Sequence, residues 1–140
     1  MSSQLDDFKE LLRNSGNSVT LPRLAVFEVL TKHEALSMQE LYQRLAGQID
    51  RATLYRVIEL FEELEIVHRI NLGWKYKIEL AETFTGHHHH LTCLGCGTVV
   101  PINESKLEDF TKQVASEHNF RASRHQFEIQ GYCAKCQAKD

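Results

Sequence analysis

The sequence predicts an α+β fold in two parts, a helical region that closes with a β-hairpin and a smaller α/β region rich in cysteine and histidine. Three observations predict it. Apolar residues recur at helical spacing as far as residue 64, strand-forming residues flank a glycine at position 73, and four cysteines fall in two Cys-x-x-Cys pairs beyond residue 92. With 140 residues, 42% of them hydrophobic, the chain can bury a core.

Three helices are predicted in the first third of the chain. Apolar residues at positions 5, 8, 11 and 12 indicate the first helix, which ends at Gly16. Pro22 is tolerated in the first turn of the second helix, directly after Thr20. Ser37 and Glu40 stand three residues apart and form a capping box that opens the third helix.

A fourth helix and a hairpin complete this part. Asp50 can cap a helix over residues 51–64, whose apolar positions follow the i, i+3, i+4, i+7 pattern of a buried face. Strand formers at 66–70 and 74–78 flank a three-residue loop, 71–73, that contains glycine. Helix, turn, helix and hairpin is the order of a winged helix-turn-helix, which we assign to residues 1–81.

Residues 82–140 predict the smaller α/β domain after a linker at 81–86. One strand holds the four histidines at 87–90, and a second covers 98–102. Asn103 can cap a helix that runs to about His118. We expect its apolar residues to face inward, namely Leu107, Phe110 and Val114. A last strand over 124–132 places three alternate side chains on one face, namely His125, Phe127 and Ile129.

Composition limits the class of protein and its compartment. No apolar run approaches the roughly 18 residues that a membrane helix needs, and the polar N-terminus has no signal-peptide core. We therefore expect a cytoplasmic protein without a membrane partner, in which paired cysteines bind metal rather than form disulfides. The net charge of −3, from 16 basic and 19 acidic residues, is more acidic than usual for a nucleic-acid binder.

The two cysteine pairs suit a structural zinc ion. Four thiolates close a tetrahedral shell and leave no position open for catalysis. The alternative is four unrelated buried cysteines. In so small a domain, zinc would contribute to folding itself. The ligands are Cys93, Cys96, Cys133 and Cys136.

The four consecutive histidines predict two further metal sites. On a strand, successive side chains point to opposite faces, so His87 and His89 separate from His88 and His90. The first pair could combine with Glu108 and His125 in a set of three imidazoles and one carboxylate.

For the second pair, the candidate partners are His68, Glu79 and His33. Imidazole and carboxylate suit Zn(II), Fe(II) or Mn(II). Three imidazoles with one carboxylate favour zinc, whereas His33 as a fifth ligand would favour iron.

The start of the fourth helix has the composition of a DNA-reading surface. Guanidinium groups suit guanine edges or phosphates, and Thr and Tyr suit thymine methyls or phosphate oxygens. The candidates on this helix are Arg51, Thr53, Tyr55 and Arg56. Arg23, Lys75 and Lys77 are candidates for phosphate contacts. The alternative is an ordinary amphipathic helix with a solvated face.

Four stretches together resemble the ferric uptake regulator superfamily. They are Thr20-Leu21-Pro22-Arg23, Arg51-Ala52-Thr53-Leu54-Tyr55-Arg56, His87-His88-His89-His90-Leu91-Thr92-Cys93-Leu94-Gly95-Cys96-Gly97 and Gly131-Tyr132-Cys133-Ala134-Lys135-Cys136. The resemblance implies a homodimeric, metal-dependent repressor with an N-terminal winged helix, a C-terminal dimerisation domain and double-stranded operator DNA as partner. Such proteins repress metal-uptake or stress genes while the corepressor metal is bound.

The resemblance also implies a role for each cluster. The family's structural zinc falls on the four cysteines, its sensory site on His88, His90 and Glu79, and its third site on the set with Glu108. His68 matches a ligand position of zinc uptake regulators. Iron regulators carry a loop histidine where Ala35 stands here, and peroxide sensors usually carry aspartate at the place of Glu79. The implied regulatory ion is Fe(II) or Zn(II), with a manganese- or peroxide-responsive regulator as the alternative.

Two readings from other classes remain. A zinc hydrolase or deaminase needs an open zinc position and a general base. The sequence has no His-Glu-x-x-His motif and no His-x-Glu combined with Pro-Cys-x-x-Cys, so we expect no enzyme. A zinc-ribbon interaction module without DNA binding is the second rival, which a gel-shift assay with and without chelator separates from a repressor.

Overall fold

A computed structural model describes residues 3–138. The chain forms two compact units, the first ending at Gly86 and the second beginning at His87. Residues 1–2 and 139–140, which the predicted domains 1–81 and 82–140 include, lie outside the described residues. Within the described part of the chain, no helix has the length and apolar character that crossing a membrane requires.

Local capping chemistry sets the starts of the four main helices of the first unit. Thr20 accepts a hydrogen bond from the Arg23 backbone N–H, and Asp50 accepts one from the Thr53 backbone N–H at 2.7 Å. Ser37 forms the predicted capping box. The helices are α1 (Gln4–Asn14), α2 (Leu21–Lys32), α3 (Met38–Arg44) and α4 (Arg51–Glu63).

A β-hairpin follows α4. Strands β1 (Val67–Leu72) and β2 (Lys75–Leu80) are antiparallel, and Leu72 pairs with Lys75. The loop therefore has two residues, Gly73 and Trp74. The prediction of a three-residue loop over 71–73 is wrong. Gly73 adopts φ +73°, which lets the chain turn in two residues while Asn71 and Leu72 stay in the ladder.

Aromatic side chains join the helices of the first unit. The rings of Phe8 and Phe27 stack with centroids 4.1 Å apart, and Phe61 meets Phe8 edge-on at 5.4 Å. Phe84 packs edge-on against Phe27 and is buried. Phe84 belongs to a short helix, α5 (Glu82–Thr85), within the segment predicted as a linker.

The second unit is built on a three-stranded sheet. The central strand, β3 (His89–Cys93), pairs antiparallel with β4 (Val99–Ile102) and parallel with β5 (Glu128–Gly131). Helix α6 (Ser105–Glu117) connects β4 to β5, and α7 (Ala134–Gln137) follows β5. Strand β3 thus leads from the histidine run directly into the first cysteine pair.

Several predictions for this unit are wrong in detail. Strand β3 begins at His89 rather than at residue 87, and β5 does not reach His125 or Phe127. Asn103 is not the cap of α6, because the helix begins one residue later, with Glu104 at the N-cap position and no side-chain cap bond. The ladder of β5 needs paired neighbours on β3, and only residues 128–131 have them.

The face of α6 that was expected to point inward is open to solvent. The side chains of Phe110 and Val114 are 60% and 40% exposed, and none of the residues of α6 is buried. Helical periodicity predicted an apolar face correctly, but not what covers it. Other large apolar side chains of this unit are also exposed, namely Phe120, Ile129 and Tyr132.

Candidate metal centres and nucleic-acid interface

The four predicted cysteines come together in the second unit. Their sulfur atoms all lie within 4.8 Å of one another, and Cys96 Sγ is 3.8 Å from Cys133 Sγ. Sulfurs that share a tetrahedral zinc ion, each about 2.3 Å from it, lie about 3.8 Å apart. The donor set and its spacing therefore fit structural zinc.

Hydrogen bonds prepare one member of this cluster to be a thiolate. The backbone N–H groups of Cys133 and Cys96 donate to Cys93 Sγ at 3.3 and 3.5 Å, and they lower the pKa of the Cys93 thiol to about 6. Thr98 Oγ1 lies 3.0 Å from Cys96 Sγ and lowers the pKa of that thiol. By contrast, the neighbouring sulfurs of Cys93 and Cys133 raise the pKa of Cys136 to about 12.

Gly95 allows the two cysteine pairs to approach each other. A Cβ at this position would lie 2.8 Å from Cys136 Sγ and 3.0 Å from Cys136 Cβ. Neither Gly95 nor Thr98 was predicted as a residue of this site. The sequence feature that could have identified Gly95 is its place inside the Cys-x-x-Cys turn, where a side chain has little room. No sequence feature marks Thr98.

The predicted set of three histidines and Glu108 also comes together. Glu108 Oε1 lies 2.8 Å from His89 Nε2 and 3.0 Å from His87 Nε2, and Glu108 Oε2 lies 2.8 Å from His125 Nε2. His87 Nε2 lies 3.2 Å from His89 Nε2 and 3.1 Å from His125 Nε2. Nitrogens that share a tetrahedral zinc ion at about 2.0–2.1 Å lie about 3.3 Å apart. The arrangement therefore fits one divalent cation.

Opposing effects act on the carboxyl group of Glu108. Its partial burial raises the pKa, but the hydrogen bond with His89 and the charge of the three imidazoles outweigh burial and hold the pKa below the ordinary glutamate value. The carboxylate form, which is the form that binds metal, is therefore favoured at neutral pH.

The alternation of the histidine run holds although β3 begins only at His89. The ring centroids of His88 and His90 are 4.7 Å apart, and those of His87 and His89 are likewise 4.7 Å apart. His90 is buried and His88 is half-buried. Residues 87 and 88 precede the ladder, but they continue the same alternation of side chains.

Two of the predicted sensory residues are paired within the first unit. His68 on β1 and Glu79 on β2 are directly opposite in the hairpin register, and His68 Nε2 lies 2.7 Å from Glu79 Oε1. Glu79 is buried. His33 lies at the C-terminal cap of α2 and is exposed. The structure thus joins His68, and not His33, to Glu79 by a hydrogen bond.

The N-terminal turns of α4 present the predicted DNA-contacting side chains. Arg51, Tyr55 and Arg56 are exposed, whereas Thr53 is half-buried. The Arg51 guanidinium lies 4.4 Å from the centroid of the Tyr42 ring, a cation–π contact that gives the arginine a fixed neighbour on α3. Tyr42 gave no signal in the sequence, where it counted only as an apolar position of α3.

The remaining basic candidates differ in their surroundings. Arg23 donates to the Ser18 carbonyl at 2.6 Å, at the start of α2. The Lys77 ammonium lies 3.9 Å from Glu40 Oε1, and its side chain is only 17% exposed. The Lys75 ammonium lies 4.6 Å from the centroid of the exposed Trp74 ring. Of the two hairpin lysines, Lys75 is therefore the more accessible.

Comparisons with a family model and with single proteins identify the same family. The ferric uptake regulator family is matched over residues 14–130. The ferric uptake regulation protein of Escherichia coli K12 is 36% identical over 137 residues, which cover 94% of this chain and 91% of that protein. The corresponding Vibrio cholerae protein is 37% identical over 136 residues, covering 92% of this chain and 89% of that protein.

Solved structures agree with the sequence relatives. A crystal structure of the Vibrio cholerae ferric uptake regulator superposes with a TM-score of 0.76 at 35% identity, covering 91% of this chain and all of that chain. The ferric uptake regulator of Pseudomonas aeruginosa with manganese superposes with a TM-score of 0.74 at 29% identity, covering 90% of this chain and 97% of that chain.

Proposed function

The chain belongs to the ferric uptake regulator family, and we propose that it is a metal-responsive transcriptional repressor that binds operator DNA as a homodimer. The observation that carries the proposal is the alternation within residues 87–90. One pair of histidines joins Glu108 and His125, and the other pair turns to the opposite face, directly before a four-cysteine cluster. A catalytic role is not part of the proposal, because four thiolates leave no open zinc position.

We assign structural zinc to the four cysteines. The cluster links the end of β3 to the start of α7. The Cys133 N–H donates to Cys93 Sγ, and these two residues are 40 positions apart in the chain. Because a site of this kind does not exist in the unfolded chain, zinc binding adds directly to the stability of the second unit.

The proposed sensory site takes His68 and Glu79 from the first unit and His88 and His90 from the second. Its support lies within each unit: the first two side chains are hydrogen-bonded across the hairpin, and the other two have adjacent rings. A divalent cation held by all four would supply a cross-link between the units. Three imidazoles and one carboxylate favour Zn(II), with Fe(II) and Mn(II) as the alternatives.

DNA binding is assigned to the exposed start of α4. Arg51 and Arg56 would contact guanine edges or phosphates, Tyr55 a thymine methyl or phosphate oxygen, and Thr53 a phosphate oxygen. Arg23 at the start of α2 would add a phosphate contact. In a two-fold dimer, two such helices reach successive major grooves only at one separation, so fixing the units sets operator affinity.

The homodimer is assigned to the second unit. Its helix α6 exposes Phe110 and Val114, and β5 exposes Ile129, so apolar area remains that a second copy would cover. Glu108, a proposed ligand of the third site, lies on the same helix, so occupancy of that site would also hold α6 against β3.

The deciding experiment combines metal content with DNA binding. The purified protein is analysed for metal, stripped at the sensory site with a mild chelator, and titrated with Zn(II), Fe(II) and Mn(II) against a labelled duplex selected from a random-sequence library. We expect tight binding only with metal. Replacing His88 and His90 together by alanine should abolish the metal dependence, and replacing the exposed His118 should not.

Full metal-dependent binding by the His88/His90 double variant would refute the assignment of the sensory site. Metal binding by the wild-type chain without binding to any duplex would instead support the zinc-ribbon interaction module.

A further inference from the structure

The interior of the second unit consists mainly of proposed metal ligands. Within residues 87–138, no hydrocarbon side chain is buried. The buried side chains of this range are His89, His90, Thr92, Cys93 and Cys136. Because a conventional hydrophobic core is missing from this part of the chain, the few apolar contacts that the ligands do make acquire importance. An apolar side chain that packs on a ligand can determine how that ligand is oriented.

Phe127 makes such a contact with the buried imidazole of His89. The two ring centroids lie 6.0 Å apart with an interplanar angle of 84°, the edge-to-face arrangement that aromatic rings prefer. His89 is 3% exposed, whereas Phe127 is 38% exposed, so more than half of the phenyl side chain is covered. Among residues 3–138, no other aromatic ring pairs with Phe127. The phenyl ring therefore has one aromatic neighbour, and that neighbour is a proposed ligand.

The orientation of the His89 ring decides whether the third metal site is complete. This site is the set His87, His89, Glu108 and His125. His89 Nε2 lies 2.8 Å from Glu108 Oε1 and 3.2 Å from His87 Nε2. Rotation of the imidazole about its bond to Cβ would carry Nε2 away from both atoms. A ring packed against the imidazole opposes this rotation, so the contact with Phe127 keeps the nitrogen in its ligating position.

Phe127 also restrains the segment that supplies another ligand. Residues 120–127 belong to no helix or strand, and β5 begins only at Glu128. His125 lies in this segment, two residues before Phe127, and its ring centroid is 5.1 Å from that of His89. Because no strand pairing holds the segment, side-chain contacts with β3 must hold it. Phe127 thus affects two of the three imidazoles of the site.

We propose that Phe127 is a positioning residue of the third metal site, which holds the His89 imidazole in its ligating orientation, keeps water from that ligand and so favours Zn(II) over Mn(II). The proposal rests on the third site of the proposed function, but it does not depend on DNA binding. Four protein ligands complete the tetrahedral shell of zinc, whereas Mn(II) prefers six ligands rich in oxygen and would have to add water. An apolar neighbour disfavours the added water.

Cobalt(II) provides a direct readout of the geometry of the site. The full chain is used with zinc in the cysteine cluster and with His88 and His90 both replaced by alanine, so that added metal reports on the third site. Tetrahedral Co(II) absorbs visible light much more strongly than six-coordinate Co(II). We expect the intense spectrum when Phe127 is present. Phe127→Ala should give a weaker spectrum, because water enters the coordination shell.

Metal affinities in the same background measure the selectivity. Phe127→Ala should weaken Zn(II) binding about tenfold and Mn(II) binding much less, so that the preference for zinc falls. Phe127→Leu keeps most of the apolar bulk and should stay close to the unchanged residue. Phe120→Ala is the matched control, because Phe120 is 75% exposed and should not affect the site. Circular dichroism checks that each variant is folded.

The outcomes separate the role of Phe127 from the site on which it rests. If Glu108→Gln removes the cobalt spectrum but Phe127→Ala changes neither the spectrum nor the zinc preference, the role of Phe127 is refuted and the third site stands. Equal weakening of Zn(II) and Mn(II) by Phe127→Ala would refute the selectivity, and a changed oligomeric mass would show instead that Phe127 is an interface residue between copies. If the chain with all four ligands gives no cobalt spectrum, the third site itself is refuted.

Discussion

His68 and Glu79 face each other across the hairpin, with His68 Nε2 2.7 Å from Glu79 Oε1. The Glu79 side chain is 10% exposed and the His68 side chain 40%, so the carboxylate is sheltered while the imidazole is still reached by solvent. Such a pair needs little reorganisation to bind a cation. It also lies on the hairpin that directly follows α4, so metal binding would act on the element next to the proposed DNA-contacting helix.

The choice between His68 and His33 as sensory ligand can be tested directly. Glu79→Gln keeps the size of the side chain but removes the charge, and we expect regulatory metal to bind at least about tenfold more weakly. His68→Ala should have a comparable effect. His33→Ala should change the affinity by less than about twofold, because the residue is an exposed helix cap.

The measurement is a metal titration followed by operator binding, with the four-cysteine zinc left in place. A His33→Ala variant that loses its metal response while His68→Ala keeps it would reverse the assignment. Loss of the metal response in both variants would instead indicate five ligands and favour iron.

The open face of α6 predicts how the dimer can be broken. Phe110 is 60% exposed, and in a two-fold interface a glutamate at this position would meet a second copy of itself or lie buried without a partner. We expect Phe110→Glu to give the mass of a single chain in light scattering and to lose operator binding. Ser105→Glu, on the exposed first turn of the same helix, is the control and should remain dimeric. A dimeric Phe110→Glu variant would place the interface elsewhere.

Local chemistry explains which parts of the fold could be predicted. The capping box at Ser37 and the cap at Asp50 depend on side chains three residues from their partners, so the sequence contains all the information. The length of the hairpin loop depends on the strand register instead. Asn71 and Leu72 are compatible with either a loop or a ladder, and only their pairing with β2 decides.

The candidate sites divide in the same way. The alternation of residues 87–90 could be predicted because an extended chain has a period of two. The covering of Phe110 and Val114 could not, since helical periodicity identifies an apolar face without saying whether it packs on its own core or on another molecule. The contact of Arg51 with Tyr42 depends on how α4 packs beside α3, and no sequence motif predicts it.

The cluster around Glu108 predicts a metal site that can be weakened separately. Glu108→Gln keeps a hydrogen-bonding group but provides no carboxylate, and we expect the metal affinity of this site to fall about 10- to 100-fold while the cysteine zinc remains. Competition with a coloured chelator measures both sites in one experiment. Glu104→Gln, at the exposed start of the same helix, should bind like wild type. Equal metal content in both variants, at every chelator concentration, would argue against a metal at these residues.

The cap of α4 predicts a pH-dependent contribution to stability. The backbone and side-chain hydrogen bonds of Thr53 lower the pKa of Asp50 below the ordinary aspartate value. A depressed pKa in the folded state means that the stabilisation is present above the ordinary pKa, about 3.9, and is lost as the pH falls through the lower folded value. Asp50→Asn keeps an acceptor that does not titrate, so wild type should be more stable at neutral pH, with the difference shrinking in acid.

Urea unfolding of both proteins across this range measures the difference, with the zinc content followed in parallel. A constant difference between wild type and Asp50→Asn at all pH values would show that the charge of Asp50 does not contribute to the cap.

Gly95 predicts the most local way to disturb the cysteine site without removing a ligand. A Cβ here would lie 2.8 Å from Cys136 Sγ, which is closer than real Cβ contacts, so Cys136 or the turn that carries Gly95 must move. Overpacking of this kind costs about 1–3 kcal/mol. Since the strain is relieved when Cys136 leaves the shell, we expect Gly95→Ala to release zinc to a coloured chelator faster than wild type. Gly131→Ala is the matched control, because a Cβ there meets nothing within 4 Å although Gly131 pairs with Cys93 on the sheet. Zinc release at the same rate from both alanine variants would mean that the turn adjusts without cost and that Gly95 does not position Cys136.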